Sequence, residues 1–292
     1  MITVNEYYKK LFGEKVYKIS LAGGNTCPNR DGSKGKGGCI FCSESGSGDF
    51  VPSPALPVNT QIDLAIEKVK QKGAKKFIAY FQSFTATYLP AQKLEEKLYA
   101  AAVRKEIVGI SVATRPDCLP ERVLDILEKY SKLKPVWVEL GLQTAKDETA
   151  KYINRCYPTS VYIEAAKKLK ERSIPFVTHI ILGLPGETEE DMINTVKTAV
   201  NCGTQGIKLQ LLQILSDSPL YREYLLGKVT PMDEDEYYSL LKKLLALLPA
   251  DTVVHRLTGD GSKKTLIAPL WCGNKKRAIN KINGILKTPQ ET

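Results

Sequence analysis

The strongest constraint on the fold is a repeated order of strand-like and helix-like segments. Short apolar, β-branched runs alternate with stretches of helical periodicity. The predicted strands cover residues 16–22, 76–82, 107–113, 136–142, 176–182 and 206–213. The predicted helices lie near residues 60–72, 91–104, 120–132, 160–172 and 188–201. Continuous apolar strands separated by helices are typical of a parallel sheet covered by helices. The chain therefore predicts an α/β fold, and six such units fit a partial (β/α)6 barrel as well as a doubly wound sheet.

The segment after the sixth strand predicts an extension of this core. Its elements are a helix through Leu248, a strand from about Asp251, a Gly-rich loop and a basic C-terminal helix. We predict a core at 1–215 and an extension at 216–292 that packs on it. Two helix starts are marked, with Thr188 expected as an N-cap and Pro231 expected as a first helical residue ahead of an acidic run.

Unusual polar residues fall at or near the carboxyl ends of the predicted strands. They are Gln82, Ser83 and Phe84 after the second strand, Thr114 after the third, Glu139 and Gln143 on and after the fourth, His179 on the fifth and Lys208 on the sixth. Ligands of parallel α/β folds collect at this edge of the sheet. The pattern therefore predicts one pocket lined by these side chains.

Glu139 and His179 are the most informative of these residues, because each interrupts an otherwise apolar strand. A buried charge is costly unless it is paired. A structural interpretation is open for each: a hydrogen-bonded core histidine, and a buried ion pair between Glu139 and Lys208. Their recurrence at successive strand ends favours a pocket, with His179, Glu139 and Lys208 as candidate catalytic residues.

Three cysteines follow the first predicted strand in the pattern Cys27-x11-Cys39-x2-Cys42, within a loop that has six glycines between residues 23 and 38. Three thiolates can hold three irons of a cubane and leave the fourth iron open. An open iron beside a redox cluster can bind S-adenosylmethionine (SAM) for reductive cleavage. The loop thus predicts a [4Fe-4S] cluster and SAM as cofactors.

Three other interpretations of the cysteines fit the sequence less well. A structural zinc site needs four ligands, and the chain has no second Cys-x2-Cys and only the histidines His179 and His255. A thioredoxin-like pair needs no third cysteine, and a Gly-rich loop is a poor place for buried unligated thiols. The remaining cysteines, Cys118, Cys156, Cys202 and Cys272, are expected to be ordinary buried thiols.

Charge and composition indicate which partners and which cellular compartment to expect for the protein. Its 292 residues carry a net charge of +10, and residues 261–287 contain seven Lys or Arg and no Asp or Glu. Such a run suits phosphate contacts with a nucleic acid, and it equally suits a solvated helix face. Seven cysteines, three of them in one loop, and the lack of a signal sequence or an 18-residue apolar run predict a cytoplasmic protein without a membrane span.

From about Tyr17 to Gln213 the chain resembles the radical SAM superfamily. The motifs that carry the resemblance are the cysteine loop, Glu139-Leu140-Gly141-Leu142-Gln143 and Gly183-Leu184-Pro185-Gly186-Glu187. These motifs are similar to those of the group of elongator catalytic subunits and oxygen-independent coproporphyrinogen oxidases. It looks most like a small bacterial branch linked to maturation of the side chain of the tRNA wobble uridine.

The resemblance implies that the core is a partial (β/α)6 barrel of the radical SAM type. It also implies roles for individual residues. Cys27, Cys39 and Cys42 would ligate the cluster. Gln82, Ser83 and Phe84 would hold the methionine amine of SAM, partly through backbone carbonyls. Gln143 and Arg155 match positions that bind the methionine end of SAM. His179 stands where the family has an Asp facing the ribose. Thr114 and Glu139 complete the expected cofactor-binding set.

The resemblance also implies a reaction. An external one-electron donor of flavodoxin or ferredoxin type would reduce the cluster, SAM would be cleaved, and a 5′-deoxyadenosyl radical would oxidise 5-carboxymethylaminomethyluridine in tRNA to 5-aminomethyluridine. Two alternatives stay open at this point. One is a radical SAM enzyme acting on a small metabolite, and the other is a non-enzymatic nucleic-acid-binding protein with a structural metal.

Overall fold

The computed structural model describes residues 1–24, 26–46, 48, 50–259 and 261–287. Ten β-strands occur in this part of the chain, and eight of them form one parallel sheet in the order β1-β9-β7-β6-β5-β4-β3-β2. The strands are β1 Ile2–Thr3, β2 Val16–Ala22, β3 Lys76–Gln82, β4 Ile107–Thr114, β5 Val136–Gln143, β6 Phe176–Leu182, β7 Gly206–Leu211, β8 Ile214–Leu215, β9 Val253–Arg256 and β10 Leu266–Ala268. Strands β8 and β10 form a separate antiparallel pair.

Helices connect and cover the strands. They are α1 Val4–Phe12, α2 Val58–Val69, α3 Ala91–Ala102, α4 Glu121–Ser131, α5 Asp147–Tyr152, α6 Thr159–Glu171, α7 Glu189–Asn201, α8 Leu220–Leu225, α9 Glu234–Ala246 and α10 Lys275–Lys287. None of the helices in the described residues is both long and apolar enough to cross a membrane.

The topology decides between the two folds that the sequence left open. Strands β2 to β7 are neighbours in chain order, so each new strand adds to the same edge of the sheet. A doubly wound sheet reverses this direction at a switch point. The sheet instead curls as an open partial barrel with β1 and β2 at its two edges, which confirms the partial-barrel prediction. The sixth predicted strand ends two residues early, at Leu211.

The two faces of the curled sheet differ in what they contact. Alternate strand residues such as Leu21, Phe81 and Leu209 point away from the barrel axis into the main apolar core, to which the helices contribute. At the amino ends of the strands, Tyr8 from α1 and Trp137 from β5 lie 5.6 Å apart between ring centroids and pack with Val16 and Ile78. This aromatic cluster closes the floor of the barrel, so the interior opens only toward the carboxyl ends of the strands.

The C-terminal segment contributes to the same sheet. Strand β9 pairs with β7 in parallel, with Gly206 opposite Val253, and β1 pairs with β9. Residues beyond 215 thus extend the barrel, and the division at residue 215 stays a prediction.

The two predicted helix starts have different outcomes. Thr188 caps α7 in a reciprocal capping box with Asp191, as expected. The expectation for Pro231 is wrong, because α9 begins at Glu234 after Asp233. The Asp233 carboxylate accepts a hydrogen bond from the Glu236 amide at 2.8 Å. A carboxylate at the N-cap satisfies an amide that would otherwise have no partner within the helix.

Candidate active site

A cavity opens at the carboxyl ends of the strands, and strands β3 to β7 all contribute to its wall. All of the site residues expected from the sequence line this one cavity: Cys27, Cys39, Cys42, Gln82, Ser83, Phe84, Thr114, Glu139, Gln143, Arg155, His179 and Lys208. The parallel sheet brings them together because it places the carboxyl ends of successive strands along one rim. What each side chain can do there depends on its own contacts.

The cysteine loop is fastened to the barrel at several points. The amide of Ile40 donates to the carbonyl of Ile153 at 3.1 Å, and the carbonyl of Ile40 accepts from the amide of Leu220 at 2.8 Å. Arg30 donates to the carbonyls of Ser43 and Glu44 at 2.6 and 2.9 Å. These bonds hold a segment without regular secondary structure against both the barrel rim and α8.

The three thiols have the chemistry that an iron–sulfur cluster requires. Cys27, Cys39 and Cys42 are free and half-buried. A hydrogen bond between the Cys39 and Cys42 thiols lowers the pKa of Cys42, with the nearby Arg30 guanidinium acting in the same direction, and the same bond together with burial raises the pKa of Cys39. No three His, Cys, Asp or Glu side chains among the described residues are close enough to chelate a single ion. In a cubane each thiolate binds a different iron. The donor set fits a cluster, which these three cysteines would hold.

The part of the rim next to the cysteine loop has a strained backbone. Ser83 and Phe84 have φ angles of 73° and 49°, in the left-handed region that side-chain-bearing residues rarely adopt. The amides of Gly23 and Gly24 donate to the carbonyls of Gln82 and Ser83 at 2.5 and 3.3 Å. Strain of this kind costs about 1–3 kcal/mol per residue and concentrates at functional sites. It presents the Gln82–Phe84 turn to the cavity, although two of its carbonyls already accept protein amides.

Glu139 is the centre of a charge network at the base of the cavity. Its side chain is fully buried. One carboxylate oxygen accepts from Lys18 at 2.5 Å and from Ser111 at 2.7 Å. The other oxygen contacts His179 Nε2 at 2.7 Å and accepts from Lys208. A carboxylate offers about four lone-pair positions, and four partners occupy them here. Glu139 therefore acts as the counter-ion of the network, and the predicted pair with Lys208 is present.

Burial and like charge alter the titration of this network. Burial and the neighbouring Lys208 lower the pKa of His179 to about 4. Burial lowers the pKa of Lys208 to about 7, with Lys18 and Arg256 opposing its charge and Glu139 supporting it. The pKa of Glu139 is held well below its usual value by Lys18 and Lys208, against the effect of burial. At neutral pH, His179 is uncharged and Glu139 is ionised.

Two of the residues expected at the methionine end of SAM have protein partners. All five N–H groups of Arg155 donate to protein oxygens: the carbonyls of Leu142, Thr144 and Tyr157 and the side chains of Asp147 and Thr159. Gln143, with a φ angle of 61°, accepts from the Tyr157 hydroxyl at 3.2 Å. Arg155 could bind a cofactor carboxylate only by exchanging one of these bonds. Its observed contacts fix the backbone that follows β5.

Thr114 also lies on the cavity wall, where its hydroxyl is 2.5 Å from that of Thr87. This bond ties the end of β4 to the loop that follows β3.

Sequence reasoning missed Lys18 as a member of the site. Lys18 lies in the middle of β2, where its neighbours Ile19 and Leu21 belong to the apolar core. The rule that was applied to Glu139 would have identified Lys18. By that rule, a charged residue within an apolar strand is expected to have a buried partner of opposite charge. The partner of Lys18 lies 121 residues away in the chain.

The expectation that four cysteines are buried thiols holds for two of them. Cys118 and Cys272 are buried, whereas Cys202 is half-buried and Cys156 is exposed. Cys156 has a φ angle of 62°, and its backbone turn leaves the thiol at the surface beside Gly35 of the cysteine loop. The expectation was wrong for Cys156, because the burial of a single loop residue cannot be predicted from the periodicity of apolar residues.

The basic C-terminal run is partly neutralised. Glu234, at the start of α9, pairs with Arg277 at 2.5 Å and with Lys281 at 3.2 Å. Lys263, Lys264 and Lys276 are exposed. The run has no acid of its own, but the fold places an acidic helix start beside it, so the patch is smaller than the sequence suggests.

Comparison with known proteins agrees with this fold. The profile of the radical SAM superfamily matches residues 21–199, and that of the radical SAM C-terminal domain matches residues 204–288. YtqA of Bacillus subtilis is 41% identical over 282 residues, which cover 96% of this chain and 88% of YtqA. The tRNA-2-methylthio-N(6)-dimethylallyladenosine synthase of Clostridium perfringens is 29% identical over 147 residues, or 47% of this chain and 32% of that protein.

Among solved structures, Elp3 of the archaeon Methanocaldococcus infernus superposes with a TM-score of 0.67 at 16% sequence identity. The match covers 92% of this chain and 63% of the Elp3 chain. At this identity the likeness concerns the fold.

The chain belongs to the radical SAM superfamily. The resemblance to that superfamily is confirmed. The protein is a radical SAM enzyme, and the cofactors of its family are a [4Fe-4S] cluster and SAM.

Proposed function

We propose that this radical SAM enzyme acts on tRNA and converts 5-carboxymethylaminomethyluridine at the wobble position to 5-aminomethyluridine in the cytoplasm. The observation that supports it most is that the cysteine loop and the charge network of Glu139, Lys208 and His179 line the same cavity. One part of the cavity suits the cofactors, and the other offers polar groups to a small charged substituent. Its mouth at the strand ends is open to a base extruded from an anticodon loop.

Relatives support the class of substrate. The Clostridium perfringens relative is by its name a tRNA-modifying synthase, and Elongator complex protein 3 of Drosophila melanogaster matches 63% of this chain. The exposed lysines of the C-terminal segment supply charge for phosphate contacts.

The proposed reaction balances with SAM as the two-electron oxidant. When bound, the reduced cluster and SAM supply a 5′-deoxyadenosyl radical that takes a hydrogen atom from the glycyl methylene of the substrate. The substrate radical would lose a proton and return one electron to the oxidised cluster, which gives an imine, and water would hydrolyse the imine to 5-aminomethyluridine and glyoxylate. The two electrons that leave the substrate equal the two that reduce SAM to methionine and 5′-deoxyadenosine. A flavodoxin or ferredoxin would supply the starting electron.

The protein's own residues bind and orient in this scheme. Cys27, Cys39 and Cys42 would hold the cluster, and the turn at Gln82–Phe84 together with Thr114 and Gln143 would face SAM. His179 and Lys208 would face the substrate side chain from the base of the cavity. Holding the methylene next to the radical source and excluding water are the contributions expected of such a site.

The test is an anaerobic assay on tRNA from cells that lack the protein. Reconstituted enzyme, dithionite and SAM are expected to convert 5-carboxymethylaminomethyluridine to an equal amount of 5-aminomethyluridine, with glyoxylate and 5′-deoxyadenosine formed. Mass spectrometry of nucleosides and small molecules measures all four.

Two controls make the assay decisive. Cys42→Ala is expected to lose every product, whereas Cys202→Ala, which changes a thiol away from the cavity, is expected to retain them. 5′-Deoxyadenosine without any nucleoside change would contradict the tRNA substrate and leave the radical chemistry standing.

A further inference from the structure

We propose that Lys208, together with the Tyr80 hydroxyl, binds the carboxylate of the substrate's glycyl side chain and so selects 5-carboxymethylaminomethyluridine over its product. This inference rests on the proposed function and adds the group that recognises the reacting substituent. It is argued from the charges around Glu139, where two lysine ammonium groups pair with one carboxylate.

Two ammonium groups share one carboxylate in this network. The ion pairs of Lys18 and Lys208 within the described residues both end on Glu139. Because Lys18 by itself neutralises the carboxylate, a protonated Lys208 is a second positive charge in a largely buried site, and burial accordingly lowers the pKa of Lys208 to about 7. Excess charge in such a place is costly unless a counter-ion accompanies it. A bound anion beside Lys208 would complete the balance.

Lys208 is the member of the pair that a ligand can reach. Its side chain lines the cavity although it is only 5% exposed, whereas the Lys18 side chain is 20% exposed but is not among the described residues of the cavity wall. An ammonium group has three N–H donors. The described partners of Lys208 are Glu139 and, at 3.3 Å, the Tyr80 hydroxyl, whose ring lies 4.8 Å beneath the ammonium group. A third N–H is left for a carboxylate, and the Tyr80 hydroxyl can donate to the same anion.

The same charge explains selection against the product. The substrate ends in a carboxylate, while 5-aminomethyluridine ends in an ammonium group that Lys208 would repel. A charge-assisted hydrogen bond from a buried donor is worth roughly a tenfold or larger change in affinity. Lys208 would therefore favour substrate binding and product release.

Binding of anticodon stem-loops tests the proposal without turnover. Two RNAs differ only in carrying 5-carboxymethylaminomethyluridine or 5-aminomethyluridine, and fluorescence anisotropy at pH 7 gives their dissociation constants on cluster-loaded enzyme without SAM. We expect the wild type to prefer the carboxylated loop about tenfold or more, and Lys208→Met to lose that preference while binding the aminomethyl loop at least as well.

Lys132→Met is the control. It removes an exposed ammonium group that pairs with Glu128 outside the cavity, so the preference is expected to stay within about threefold of the wild type. Lys208→Arg keeps the charge and is expected to restore part of the preference. Both Lys208 variants leave Glu139 paired with Lys18, so both are expected to fold, which thermal unfolding checks.

A second experiment distinguishes whether Lys208 binds the carboxylate of the substrate or the carboxylate at the methionine end of SAM. Reductive methylation followed by peptide mass spectrometry measures the accessibility of Lys208, with the exposed Lys276 as reference. N-benzylglycine is expected to protect Lys208, and benzylmethylamine is not. Protection by SAM but not by N-benzylglycine would assign the site to the cofactor and overturn the proposal.

The remaining outcomes are also distinct. Equal affinity of the wild type for both loops, or an unchanged preference in Lys208→Met, would overturn the role of Lys208 and leave the proposed function intact. Failure of the wild type to bind either loop would overturn the tRNA substrate, and the protection experiment would then decide the carboxylate-binding role alone.

Discussion

Glu139 is a single buried carboxylate on which two lysines, a serine and a histidine converge. Removing one partner of a buried ion pair costs about 3–5 kcal/mol, because a charge is left without compensation. Here either lysine can compensate the carboxylate when the other is absent. Because two lysines contact Glu139, its charge stays compensated at the bottom of the cavity. One of the two ammonium groups is then available to bind a ligand.

The duplication predicts a non-additive loss of stability. Lys18→Met and Lys208→Met are each expected to change the free energy of unfolding by less than about 1.5 kcal/mol, whereas the double variant is expected to lose about 3–5 kcal/mol. Urea unfolding followed by circular dichroism measures all four proteins. Adding Glu139→Gln to the double variant is expected to recover much of the loss, since the uncompensated charge is then gone. Additive losses would contradict a shared counter-ion.

The loop between β6 and α7 directs the chain into α7 and also sets the environment of the Glu187 carboxylate. Gly183 and Gly186 have φ angles of 81° and 79°, which turn the chain from the strand into the capped helix. This turn places Glu187 in a partly buried position, where the Thr144 hydroxyl donates to its carboxylate. Burial, assisted by Asp191, raises the pKa of Glu187 to about 7.

The raised pKa of Glu187 predicts how pH affects stability. Between about pH 4.5 and 7 the folded state binds more protons at this site than the unfolded state, so the contribution of Glu187 to stability falls as pH rises through that window. Glu187→Gln is expected to stabilise the protein by about 1–3 kcal/mol at pH 8 and to have little effect at pH 4.5. Urea unfolding at the two pH values measures this.

The control for Glu187 is Glu190→Gln, which removes an exposed carboxylate from the neighbouring helix. It is expected to change stability by less than about 0.5 kcal/mol at both pH values. An equal effect of Glu187→Gln at pH 4.5 and pH 8 would show that its side-chain shape, and not its charge, governs the result.

At the scale of the whole molecule, the barrel is closed at one end and open at the other. The Tyr8–Trp137 cluster blocks the amino ends of the strands, so cofactors and substrate must enter at the carboxyl ends. Strand β9 continues the sheet beyond β7, and the basic helix α10 follows on the same C-terminal segment. A tRNA bound over the open end would therefore depend on charges supplied by that segment.

Salt dependence of tRNA binding tests this arrangement. Replacing Lys263, Lys264 and Lys276 by Ala is expected to weaken binding and to make the slope of log K against log salt shallower by about 2–3, or roughly 0.7–0.9 for each phosphate that a lysine no longer neutralises. Arg277→Ala with Lys281→Ala is expected to change the slope less per charge, because Glu234 already shares those two cations. An unchanged slope in the triple variant would exclude these lysines from the interface.

The sequence by itself determined the alternation of strands and helices along the chain and the cysteine loop. These features are local: apolar periodicity, glycine content and cysteine spacing are each contained within a few tens of residues. Their position at strand ends was also sufficient to predict which side chains share a cavity, since parallel strands end at one rim.

Only the tertiary structure decided what those side chains do to one another. It placed Lys18 on Glu139 across 121 residues, occupied every donor of Arg155, and set Glu234 beside the basic C-terminal helix. Such pairings depend on how far the sheet curls and on the register between strands, which local patterns leave undefined. Charge balance in a buried site is a property of the assembled fold, because each ion's partner comes from a different strand or helix.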